Sequence, residues 1–223
     1  MTKDKVRKSL RQKDFEGLSR WAEEHGGKVT NALKAFLMET DEEMKWTAVR
    51  ALGIVTAHLY ELDEEQAKRV LRQLIWDLNE ESGGIGWGMP EAFGEILAKV
   101  PALRKEYAGL LVSYIIQGPC FIENEFLQKG VLWGLGRLKQ MEAPLKMEAL
   151  PFLLKSLEHK EPAFRGTAVW ALGEMGLREA FPYLKCLQRE NEMIKLFTDE
   201  KFQEKPLSQW VEEALEKLDQ GGE

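Results

Sequence analysis

A chain of 223 residues is long enough to bury a real core and fits one ordinary domain or one short repeat array. Hydrophobic residues make up 44% and charged residues 30%, a balance that excludes both a disordered and a membrane-like chain. The formal net charge of −6 lacks the basic footprint that general nucleic-acid binding requires.

The first segment is the basic exception. Lys3, Lys5, Arg7, Lys8, Arg11 and Lys13 face only Asp4 and Asp14, a pattern read as a solvated helix face ahead of a contact for an acidic surface. No apolar stretch follows, so no signal peptide is expected. Helical spacing of apolar residues then predicts helices over "NALKAFLME" (Asn31–Glu39), "EEQAKRVLRQLIWDLNE" (Glu64–Glu80) and "ALRKEYAGLLVSYII" (Ala102–Ile116). The longest uncharged run, Tyr107–Ile122, is broken by Gly118–Cys120 and is too short to span a membrane. Further on, "EALPFLLKSLEHKEPAFRGTAVWALGEMG" (Glu148–Gly176) reads as helix, short turn, helix, and Arg178–Glu190 starts another unit. Pro90, Pro101, Pro144, Pro162 and Pro206 stand where helices start, because the first N–H groups of a helix have no intrahelical partner to lose. Helix starts are also expected just upstream of Pro151 and Pro182. No β-branched alternating run of strand length is read, so the expected class is all-α. The two cysteines, Cys120 and Cys186, lie far apart outside any CxxC spacing and are read as reduced core thiols of a cytoplasmic protein.

These segments repeat. Thr-Ala-Val-x-Ala-Leu-Gly occurs in both Met44–Val55 and Phe164–Gly176, and the same frame holds in Ile85–Leu97, Leu127–Leu138 and, degenerate, Pro206–Leu218. The closing position falls at Gly53, Gly94, Gly136, Gly173 and Glu216. The steps are 41, 42, 37 and 43 residues, the length of a helical hairpin. The segment Ala149–Leu187 resembles a HEAT-type repeat, most of all the short form named after the phycobilisome lyases. The likeness is fair over Asn31–Val55 and weaker but in frame elsewhere. That resemblance implies a short right-handed α-solenoid of about five helical hairpins behind an N-terminal capping helix. It also implies a protein-binding role along the concave face that the second helices make. The expected layout is a single domain, 1–223, with an N-terminal helix over 1–27 and repeats near 28–60, 61–100, 101–140, 144–176 and 177–219. Arg165 matches the arginine that the family uses between repeats, a structural residue. Lys45, Gly86 and Gln128 replace it elsewhere.

The glycine-rich stretch Gly83–Gly88 invites a phosphate-loop reading, which fails. Neither GxGxxG nor Gly-Lys-Ser/Thr is completed, and a helix, not a strand, precedes it. Gly83–Gly86 is read as the turn between two helices, and Gly88 and Gly94 as points of close helix approach. An anion held at that helix N-terminus is the weaker alternative.

The site expectation comes from the second helices. Ala48, Leu52 and Val55, with Ala168, Leu172 and Met175, form the inward stripe. The opposite stripe carries Trp46, Arg50 and Ile54, then Trp87, Glu91 and Glu95, then Lys129, Trp133 and Arg137, then Gly166, Trp170 and Glu174. Four of the seven tryptophans, mixed with Arg and Glu, give the composition of a binding hot spot. The competing reading buries these rings between helices. Trp21, Trp76 and Trp210 are assigned to core or cap.

Catalytic signals are thin. His25, His58 and His159 stand apart, without metal spacing or a nucleophile–base motif, and are read as surface or capping residues. The di-iron hydroxylase among HEAT proteins uses several His-Glu pairs. This chain has only Glu158-His159, in reverse order. Glu91, Glu95 and Glu174 are the only groove carboxylates that could act as acid or base. The expectation is therefore a non-enzymatic, cytoplasmic adaptor that holds a protein partner, an assembly or maturation helper. No cofactor, metal, nucleic acid or membrane is expected, and the chain is read as a monomer or weak homodimer. Two alternatives stay open: a HEAT-like DNA glycosylase and a bilin lyase or pigment handler.

Overall fold

Helix starts follow local chemistry. In the computed structural model, which describes residues 3–79 and 86–220, the Asp14 side chain accepts from the Gly17 amide. Asp41 accepts from Met44, and Asn124 from Phe126 and Leu127, so three helices open on side-chain caps. Pro90, Pro144 and Pro162 occupy the first positions of three others. The described residues form α1 (Lys3–Gln12), α2 (Phe15–His25), α3 (Gly27–Phe36), α4 (Glu42–Leu62), α5 (Glu64–Asn79), α6 (Met89–Lys99) and α7 (Pro101–Ser113). After these come α8 (Glu125–Arg137), α9 (Ala143–Ser156), α10 (Pro162–Met175), a 3-10 turn (Arg178–Ala180), α11 (Phe181–Cys186) and α12 (Leu207–Gln220). None of these helices is long and apolar enough to cross a membrane. The α-helical solenoid class holds.

The chain divides into two compact units after Tyr107, within α7. In the first unit α4 packs on α2, α3, α5 and α6. In the second, α10 packs on α8, α9 and α12. Consecutive second helices come close at the repeated glycine. A Cβ on Gly53 would lie 2.6 Å from Glu95 Cγ on α6. One on Gly136 would lie 2.4 Å from the Trp170 ring on α10, and one on Gly173 2.8 Å from the Ala214 backbone on α12. Any larger residue would force these helices apart. The expected inward stripe is buried throughout: Ala48, Leu52, Val55, Ala168, Leu172 and Met175.

Four expectations need correction. The N-terminal helix is two helices, because Lys13 takes a positive φ of 53° and Asp14 then caps a new start. The strand-free reading fails at a two-stranded antiparallel hairpin, β1 (Met193–Thr198) and β2 (Lys201–Pro206), inserted between α11 and α12; Pro206 closes β2 and α12 starts at the next residue. Pro151 lies well inside α9, since that helix starts eight residues earlier at Ala143. The cysteines are free but not core: Cys120 is half-buried and Cys186 exposed. Of the expected turn Gly83–Gly86, residues 83–85 lie outside the described residues. Gly88 shows the close approach expected of it: φ is +74° and a Cβ would sit 2.9 Å from the Leu37 carbonyl oxygen.

Leu172 is fully buried at the α10 core face. Leu172→Ala should cost about 2–5 kcal/mol in denaturant unfolding, and a loss below about 1 kcal/mol would place the residue outside the core.

Candidate functional site

The stripe behaves differently in the two units. In the first, Trp46, Arg50 and Ile54 are half-buried along α4, and Trp87 remains 43% exposed immediately before α6. Lys45 Nζ lies over the Trp46 ring at 5.3 Å and donates to Glu91 Oε1 at 2.7 Å. The Arg50 guanidinium lies over the Phe15 ring at 5.0 Å, tying α4 to α2. Glu91 and Glu95 are 7% and 3% exposed, the latter beside Lys99 at 3.4 Å. Both carboxylates are thus packed and paired, which departs from the solvated groove acids expected of them. The stripe here is two tryptophans and a charged frame, with exposed Met38 next to the Leu37 that Gly88 touches.

In the second unit the hairpin occupies the stripe. Trp133 Nε1 donates to the Phe197 carbonyl at 2.7 Å, and Trp210 Nε1 to the Ile194 carbonyl at 3.3 Å. Ile194 sits on Gly166, where a Cβ would come within 2.4 Å of its Cγ2. Trp133 and Trp170 do form the expected aromatic pair, with centroids 6.0 Å apart and planes inclined by 22°. The pair is buried, however, at 5% and 6% exposure. Trp170 fills the space left by Gly136, and β1 covers Trp133. The expectation that both rings project into solvent is therefore corrected.

Charged residues along this stripe are paired within the second unit, two of them at the hairpin. Arg165 Nη2 reaches Glu190 and Glu192, and its Nη1 donates to the His159 carbonyl at 2.8 Å. The structural role implied for this arginine is met here by anchoring the base of the hairpin. Buried Lys205 lies 3.7 Å over the Trp210 ring and pairs with Glu213. Lys129 pairs with Glu161 at 2.7 Å, and Arg137 lies over the Trp133 ring at 5.8 Å. Glu174 accepts from Lys139 and Lys217. Burial pushes its carboxyl up, but the hydrogen bonds from Lys139 and Lys217 outweigh it and hold the group below the usual carboxylate range.

Among the other tryptophans, Trp210 is buried and Trp21 half-buried, with Lys5 4.2 Å over the Trp21 ring. Trp76, assigned to core or cap, is 70% exposed on α5 and so is not core. The basic start is a helix face with local partners: Arg7 pairs with Glu39 at 2.8 Å.

The sequence reading missed a cleft of about 710 Å³ in the second unit, bounded by the segment between α7 and α8, the starts of α8 and α10, and α9. Its polar wall holds Gln128 and His159. Lone polar residues on a helical face give no pattern that sequence spacing could reveal.

Residues 123–195 match the model of the HEAT repeats, which supports a HEAT-type repeat architecture over that part of the chain. The match does not reach the finer likeness to the phycobilisome-lyase form. No curated protein matches the chain. Two engineered proteins solved by the Northeast Structural Genomics Consortium are similar in structure. One is 16% identical over 100% of this chain and 93% of its own, with a TM-score of 0.50. The other is 15% identical over 86% of this chain and 48% of its own, also at 0.50. At such identities the likeness speaks for the fold alone.

Two outcomes test the buried half of the stripe. Trp170→Ala should cost about 3–5 kcal/mol of stability, because it empties the space between α8 and α10. A loss within about 0.5 kcal/mol would mean that the ring does not pack there in solution. Glu174→Gln should destabilise at pH 7. A depressed folded pKa contributes fully above the unfolded carboxyl value of about 4.3 and is lost as pH falls through the folded value. The gap between wild type and variant should therefore narrow from pH 7 to pH 3 in unfolding curves, and a pH-independent gap would contradict the pairing.

Proposed function

We propose that the protein is a non-enzymatic scaffold, an adaptor that holds a protein segment against the second-helix stripe of its first unit. HEAT repeats commonly mediate protein binding, which gives the coarse reading. One observation carries the finer one: Trp87 stays exposed and Trp46 half-exposed on the stripe that the hairpin fills in the second unit. Large rings left in solvent beside charged side chains are costly to leave uncovered and suit anchors at the centre of an interface. Arg50 and the Lys45–Glu91 pair frame them, so a partner would meet an apolar centre with a polar rim. Glu91 and Glu95 serve as packed supports that fix α4 against α6. Trp133 holds the hairpin, Trp170 packs against α8, and Lys129, Arg137 and Glu174 are engaged inside the second unit, so in this reading none of the five is offered to the partner.

The test is the double variant Trp46→Ala/Trp87→Ala. Pull-downs from the native host with wild type should recover proteins that the variant loses, at a cost of at least about 2 kcal/mol per anchor. Its unfolding midpoint should stay near that of wild type. Retention of the same proteins at the same affinity would overturn the reading.

A further inference from the structure

The cleft in the second unit is a site apart from the stripe, and its chemistry narrows what fits. Three phenylalanines supply most of its apolar wall: Phe164 is buried beside the aliphatic Ile115, and Phe121 and Phe152 are half-exposed along it. At 710 Å³ it has the size of a small-ligand pocket.

Two polar side chains are fixed in it with their outward groups defined. Gln128 is only 8% exposed, and its Nε2 donates to the Ile122 carbonyl at 2.7 Å. That bond sets the amide orientation and leaves Oε1, among the described residues, without a donor. Gln128 lines the cleft and its Oε1 is not a buried, shut-off atom, so the oxygen can accept there from a ligand donor. His159 stacks on Phe164 with centroids 4.1 Å apart and planes inclined by 21°. Its Nδ1 accepts from the Glu161 amide at 3.1 Å, so in the neutral ring Nε2 carries the hydrogen, 3.5 Å from Glu125 Oε1. The lining carboxylates of Glu125, Glu148 and Glu158 are opposed by Lys155 and Lys160. With charges nearly balanced, the cleft neither draws a strongly charged ligand nor offsets the cost of burying one.

We infer that this cleft binds a neutral aromatic ring bearing one hydrogen-bond donor, a phenol, with its O–H on Gln128 Oε1 and its ring against Phe121, Phe152 and Phe164. The same chemistry comes from a free phenolic compound or from a tyrosine side chain on a polypeptide. The site shares no residue with Trp46 or Trp87, so its failure leaves the scaffold reading untouched, and the reverse.

The experiment titrates the full-length protein with 4-methylphenol and with 4-methylanisole, the same ring with its donor methylated, and follows the Ile115 methyl and Gln128 side-chain NMR signals. The phenol should shift both signals and bind about tenfold more tightly than the ether, the worth of one hydrogen bond. Gln128→Met should abolish that preference. Because the variant also removes the bond to Ile122 and could unfold, the comparison of the two probes on wild type stands as the independent measurement. Equal affinities for the two probes, or shifts confined to other regions, would overturn the assignment. A third titration, with N-acetyl-tyrosinamide, separates the sources. Affinity at least equal to that of 4-methylphenol assigns the site to a tyrosine on a polypeptide, and affinity tenfold lower assigns it to a free phenol.

Discussion

Close approach of successive second helices is the constraint from which the rest follows. Gly53 admits the Glu95 side chain, Gly136 admits the face of Trp170, and Gly173 admits the backbone of α12 at Ala214. A side chain at any of these positions would push a neighbour outward and open the core beneath it, where Leu52, Leu172 and their repeats are buried. The closing glycine of the repeated motif is therefore a spacing device, and the tryptophan on the next helix is one of the things it makes room for.

That accommodation gives the two units different surfaces from one motif. In the second, Gly166 clears a seat for Ile194 and the indoles of Trp133 and Trp210 hold backbone carbonyls of β1, so the stripe is filled by the chain itself. In the first, the equivalent stripe has tryptophans at its start and is tied together by Lys45, Glu91 and Arg50. The same composition thus serves internal packing in one place and leaves rings at the surface in another. The composition of a hot spot is also the composition of a well-packed joint, and only the neighbours decide which one is present.

Much of the architecture was legible because it is periodic. The repeated Thr-Ala-Val-x-Ala-Leu-Gly fixed the frame, and the inward stripe fell where that frame put it. The hairpin was not legible for a local reason. Its strands, MIKLFT and KFQEKP, are short, and the two residues joining them, Asp199 and Glu200, adopt φ of 49° and 65° without the glycine that marks such a turn. Trp76 failed for another reason: its place in a helical pattern says which face it lies on, and its exposure depends on what covers that face. The cleft left no trace at all, because Ile115, Gln128, Phe152 and His159 belong to four separate segments that only packing brings together.

The sequence by itself determined the helical hairpins, their period, their inward faces and the glycines at which they touch, since each depends on residues within a turn or two of one another. Tertiary structure alone decided which tryptophans are buried, that Arg165 and the indoles anchor a strand, and that Gln128 keeps an open oxygen in an aromatic cleft. Those properties belong to contacts between segments distant in the chain, and burial is set by the neighbour that arrives, not by the residue that waits for it.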